Sequence, residues 1–127
     1  MNAYNPQIAP NREQWLESSE FDRIDAVREF HDTDEDNDLE DNALSIHSSI
    51  HVIVENQLAM EIELLPETLA KLMRQGLDRH DAIHAIGAII SDDIFSIISG
   101  EKTEFSPKEY RGKLAKITAK RWRKGQY

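Results

Sequence analysis

Four of the five histidines in this chain form two pairs with one spacing, His47/His51 and His80/His84, each a His-x-x-x-His. On an α-helix a four-residue step returns a side chain to nearly the same face, so each pair offers two imidazoles from one rigid turn. Both pairs sit in strongly apolar segments with a helical period. Facing helices that each contribute such ligands are how helical bundles build metal centres. An ion needs several neutral ring nitrogens held about 2 Å from a single point, and two pairs supply four. The spacing points to a site without naming a reaction.

Two further side chains belong to the candidate set. Glu55 lies one turn beyond His51, at the edge of the apolar arc, where it is expected to stay partly hydrated. It could serve as a ligand, as an orienter of a ligand, or as a general base. His31 falls on the inner edge of its own helix and could replace or back up one member of the pairs. The competing explanation is that all five are ordinary core histidines, each bonded to a backbone carbonyl or to Ser91. It requires a partner for every buried ring, at a cost of about 1–3 kcal/mol for each one missed. With no cysteine in the chain, thiolate sites and disulfides are excluded, and imidazole and carboxylate remain as the strong ligands. That donor set suits zinc, iron, nickel or copper without choosing among them; a divalent transition metal, zinc or iron, is the expected cofactor.

Other chemistries find less support. His80-Asp81 resembles the motif of metal-dependent phosphohydrolases, but on a helical wheel Asp81 turns about 100° away from His80. Ser48 and Ser49 lie off the histidine face, and neither a nucleophile elbow nor a phosphate-cradling glycine loop occurs. The stretch 32–41, DTDEDNDLED, invites comparison with a calcium loop. Counted from Asp32, it places Asn37 where glycine is needed and Ala43 where the bidentate glutamate is needed. It reads instead as a solvated acidic loop.

The elements that must position these residues are helical throughout. Residues 1–10 form an extended lead-in limited by Pro6 and Pro10. A first helix starts near Asn11 and carries Trp15 and Leu16. A second starts at Ser19, with Phe21, Ile24, Val27 and His31 on one face. The central helix runs from about Asp41 to Met60, with His47, His51, Val54 and Leu58 in one arc and Ser45, Ser48, Ser49 and Asn56 on the opposite, polar side. Leu65-Pro66 opens a short helix closed by Gly76. Asp78-x-x-Asp81 opens the next, which ends before Gly100 and lines up His80, His84, Gly87, Ser91, Ile94 and Ile98. Ser106-Pro107-Lys108-Glu109 starts a basic C-terminal helix over 107–124 with Tyr110, Leu114, Ile117 and Trp122.

The segments HSSIHVIVENQL (47–58) and LDRHDAIHAIG (77–87) resemble a family of small bacterial helical proteins classed as a domain of unknown function. Its pattern is H-x3-H-V-I-V-E-N-Q-L, a proline-containing short helix, and then R-H-E-A-I-H-A-I-G. The likeness covers about residues 43–98, with a weaker echo around Trp15–His31. It marks His47, His51, Glu55, Asn56, Gln57, Arg79, His80, His84 and Gly87 as characteristic positions. Asp81 stands where the pattern has Glu, and the acidic stretch 32–41 has no counterpart. The resemblance implies a helical fold with a shared site, and no activity.

Length and charge bound the rest. At 127 residues the chain is one domain, an all-α compact bundle of about five or six helices. No signal peptide or membrane span is expected, and the cytoplasm is the expected compartment. The net charge is -9, with seven acids in 32–41 and eight Lys or Arg in 108–127. That total disfavours nucleic acid, so the basic tail is expected to dock on the core. A protein partner and the oligomeric state are left open. The expected function is divalent metal binding. If a coordination position stays open, hydrolysis with Glu55 as base is the natural chemistry. The alternative is a metal-free regulatory or adaptor protein.

Overall fold

Asn11 begins the first helix by accepting the Gln14 N–H on its side chain, and the same device recurs along the chain. Ser19, Asp78, Ser106 and Thr118 each accept the N–H of the residue three positions on. The computed structural model describes residues 3–33 and 41–127. Its helices are α1 (Arg12–Glu17), α2 (Glu20–Thr33), α3 (Asp41–Ala59), α4 (Leu65–Arg74), α5 (Arg79–Ile98), α6 (Pro107–Lys116) and α7 (Ala119–Arg123). No strand occurs among the described residues, so the fold is all-α. The acidic stretch 32–41 lies mostly outside them, except that α2 runs on to Thr33 and α3 starts at Asp41.

α4 ends as its glycine predicts. Gly76 takes φ 104°, its N–H bonds the Met73 carbonyl, and the Leu77 N–H reaches back to the Leu72 carbonyl. This double closure satisfies the last carbonyls and packs Leu77 beside Leu72, both buried. The chain then turns directly into α5, which sets the histidines of α5 against those of α3.

α3 is the axis of the molecule, with α1 and α2 on one side and α5 on the other. Its expected polar face is therefore not wet. Ser48 is fully buried, Ser45 accepts a hydrogen bond from Arg28, and Asn56 Oδ1 accepts from Trp15 Nε1 and Arg23 Nη1. Small and polar side chains on that face let α1 and α2 approach closely. α2 also departs from its expected wheel. Val27 and His31 are buried as expected, but Phe21 stands 73 % exposed on the solvent-facing first turn of α2.

The basic C-terminal helix is two helices. Ile117 and Thr118 take extended backbone angles, Ile117 buries against the core, and the Thr118 hydroxyl restarts the chain as α7. Adjacent β-branched residues favour such a break. The tail docks as expected through Ile117, Ala119 and Trp122. α6 is tied to α5 by Asp93, whose buried carboxylate accepts from Lys102 (2.9 Å) and Lys113 (3.3 Å). Burial alone would raise the pKa of Asp93, but these two ammonium groups outweigh it and hold it below the usual carboxylate range. Among the described residues no helix is long and apolar enough to cross a membrane.

Candidate metal centre

All five histidine rings meet in one cluster. α2 brings His31, α3 brings His47 and His51, and α5 brings His80 and His84. Ring centroids lie 4.7 Å apart for His31–His47, 4.8 Å for His47–His84, 4.9 Å for His31–His51 and for His51–His84, and 4.3 Å for His80–His84. The tightest set of ligand atoms is His31, His47, His51 and His84, all within 4.8 Å of one another. Four nitrogens about 2.1 Å from one ion stand about 3–4 Å apart, so ring rotations of about an ångström would close this set on a single ion. His31 is thus a full member rather than a reserve. His80 falls outside the tightest set and packs its ring against His84, His51 and Phe30.

Hydrogen bonds decide which nitrogen two of these rings present. His31 Nδ1 lies 2.8 Å from the Val27 carbonyl, one turn back on α2, and can only donate to it. In the neutral ring the proton then sits on Nδ1, and Nε2 carries the lone pair. His51 is held by a longer chain of contacts. Tyr4 donates its hydroxyl proton to Glu55 Oε2 at 2.6 Å, so the 3.2 Å contact between His51 Nδ1 and the Tyr4 oxygen needs its proton from His51. That leaves the lone pair of His51 on Nε2, which stands 2.9 Å from His84 Nε2. The pair closes as a hydrogen bond if His84 is protonated on Nε2, or as two donors to one ion if it is protonated on Nδ1. Rings oriented through the far nitrogen by a carbonyl or by a carboxylate network are the usual second layer of metal centres.

Three of the rings, His47, His51 and His84, are also kept neutral. Burial first, and then the neighbouring His31 and His80, push His47 down to about 4. Burial and the positive potential of His80, His47 and His31 push His84 down to about 3, against a weak opposing pull from Asp78. His51, 1 % exposed and surrounded by four other imidazoles, is lowered further still. At neutral pH these rings are unprotonated, which is the form that binds metal.

Glu55 is not at a hydrated margin. It is 1 % exposed, and Arg79 grips it with two hydrogen bonds, Nη1 to Oε2 at 2.9 Å and Nη2 to Oε1 at 2.7 Å. The guanidinium also donates to the Pro6 carbonyl at 2.9 Å. Burial would lower the pKa of Arg79, but the Glu55 contacts and charge outweigh it and raise it. Tyr4, buried and beside this carboxylate, has its hydroxyl pKa driven far up, so it remains a proton donor. The wheel misplaced Glu55 because it cannot see the N-terminal segment, which folds over the end of α3 and seals it.

Tyr4 and the role of Arg79 carry no periodic signal in the sequence. Tyr4 lies in a lead-in without regular structure, and the Arg79 side chain turns toward the lead-in from the first turn of α5. Comparisons of the chain with protein-family models, with curated proteins and with solved structures give no match.

Proposed function

We propose that this protein binds a divalent transition metal, with His31, His47, His51 and His84 as ligands and His80 packed behind His84. The observation that carries this reading is the convergence of four imidazoles from three helices, with His31 and His51 each bonded through Nδ1. Imidazole ligands suit zinc, iron, nickel and copper. The characteristic positions of the resembled helical family support the same reading: His47, His51, Glu55, Arg79, His80 and His84 all fall in or beside this cluster. Of the roles open to Glu55, we favour that of a positioning residue, since its oxygens are occupied by Arg79 and Tyr4 and it reaches His51 through the Tyr4 hydroxyl. Hydrolysis would then require a base from elsewhere or a rearrangement of this ion pair.

Elemental analysis of protein purified without a histidine tag tests the reading. Near-stoichiometric zinc or iron is expected, and His47→Ala or His84→Ala should lose metal and lower the melting temperature. Metal-free protein whose stability does not respond to chelator or to added zinc would overturn it.

The metal-free adaptor reading draws on a different observation. Phe95 and Ile98 stand 69 % and 76 % exposed at the C-terminal end of α5, as apolar side chains at a docking surface do. It predicts a fold and a partner affinity that are the same with and without metal.

A further inference from the structure

The four ligands are not equally enclosed. His31 and His51 are 4 % and 1 % exposed, whereas His47 and His84 are only half-buried. His47, His51 and His84 all border a cavity of about 370 Å³ between α3 and α5. A site meant to be closed on all sides would not leave a space of that size against three of its rings. Small-molecule sites begin at about 300 Å³ and are mostly apolar with a few polar groups at one end, and this cavity has that plan. Besides the three histidines, Ser91 is the one polar side chain in its lining among the described residues; the walls are Ile46, Ile50 and Ile83. Its space comes from small residues, Ala43 on α3 and Ala88 on α5. At Gly87 the two helices touch, since a Cβ there would lie 2.8 Å from Ile50 Cγ2, so the wall is a fixed helix–helix contact.

Charge indicates what head group would enter. Every ligand in the set is an imidazole, which binds metal in its neutral form, and among the described residues the buried carboxylate beside the cluster, Glu55, is already neutralised by Arg79. Asp78 acts on His84 only from the exposed start of α5. With these described groups alone, a divalent ion held there would keep its full charge in a largely desolvated place, where an uncompensated ion is costly. The least costly compensation is an anionic ligand on the open side, facing the cavity.

Resting on the metal reading above, we infer that the site takes a small aliphatic monocarboxylate, with its carboxylate toward the ion and its hydrocarbon chain along the isoleucine-lined cavity. The cavity is large enough for a chain of several carbons, and among the described residues its lining offers no charged group to hold a dianion.

Cobalt(II)-loaded full-length protein tests this, because its visible absorption reports both occupancy of the site and a change of ligand. Acetate, butyrate, hexanoate and octanoate are titrated in turn. Each carboxylate should perturb the cobalt bands, with affinity rising about three- to fourfold per added methylene until the cavity is filled. Ala88→Leu, and Ala43→Leu from the opposite wall, should keep the cobalt bands and the response to acetate while flattening the dependence on chain length. Folding of both variants is checked by circular dichroism. Cobalt bands that ignore every carboxylate, or respond equally to acetate and octanoate, overturn the inference and leave metal binding standing. A chain-length dependence unchanged in both filled variants overturns the assignment to this cavity. Absence of any cobalt band overturns the metal reading, and this inference with it.

Discussion

Two protons set the character of the centre, one on His31 Nδ1 and one on His51 Nδ1, because each turns Nε2 inward as a lone pair. The second depends on Tyr4, whose hydroxyl transmits the orientation of Glu55 to His51. Tyr4→Phe keeps the aromatic ring against Trp15 and Phe30 but removes that link. Zinc affinity, measured by competition with a chromophoric chelator, should fall about 10–100-fold, the usual cost of losing an orienting partner. Glu55→Gln acts differently. The amide preserves size, and the imidazoles are untouched, so metal content should remain near that of the parent. Arg79, however, is left buried without a countercharge. Breaking such a pair costs about 3–5 kcal/mol, which urea denaturation would register. Loss of metal with unchanged stability would mean that Glu55 is itself a ligand.

Several helix ends were legible because they are written in a local hydrogen bond. Asn11, Ser19, Asp78 and Ser106 cap where their side chains could be expected to cap, and Gly76 stops α4 where only a positive φ allows the closing bonds. Thr118 carries the same signal, but the apolar spacing of Leu114, Ile117 and Trp122 masked it as a continuous helix. Thr118→Ala should cost about 1 kcal/mol by removing the cap of α7, detectable as a lowered melting temperature. Gly87 acts between elements. Ile50 is β-branched and stiff at χ1 on a helix, so it yields poorly to a methyl group placed 2.8 Å away. Gly87→Ala should destabilise the fold by about 1–3 kcal/mol and weaken metal binding together, since it pushes apart the two helices that share the site. An unchanged melting temperature would show that α3 and α5 adjust freely.

At the scale of the whole molecule, neutral imidazoles packed together make the metal-free protein sensitive to acid. In the folded state His47 and His84 titrate at about 4 and about 3, against an ordinary value near 6.5 when unfolded. Above about pH 6.5 both states are unprotonated and no stability depends on these rings. As pH falls below that value the unfolded chain takes up protons that the folded chain refuses, so stability declines until the folded pKa values are passed. Thermal melts of chelator-treated protein should therefore show the melting temperature dropping from pH 6.5 to pH 4, and His84→Gln should make that drop shallower. The sequence by itself determined the helical class, most of the helix starts and the inward direction of the five histidines, because capping bonds and a 3.6-residue period are local properties of the chain. It could not rank the histidines or place Glu55. Which four rings share a point depends on how α2 lies across α3 and α5, and the dryness of Glu55 depends on an N-terminal segment more than forty positions away in sequence, folding back to deliver Tyr4 and the Pro6 carbonyl. Those contacts have no periodicity to announce them. Only the tertiary packing brings them together, and only there does the margin of an apolar stripe become the buried ion pair that orients the site.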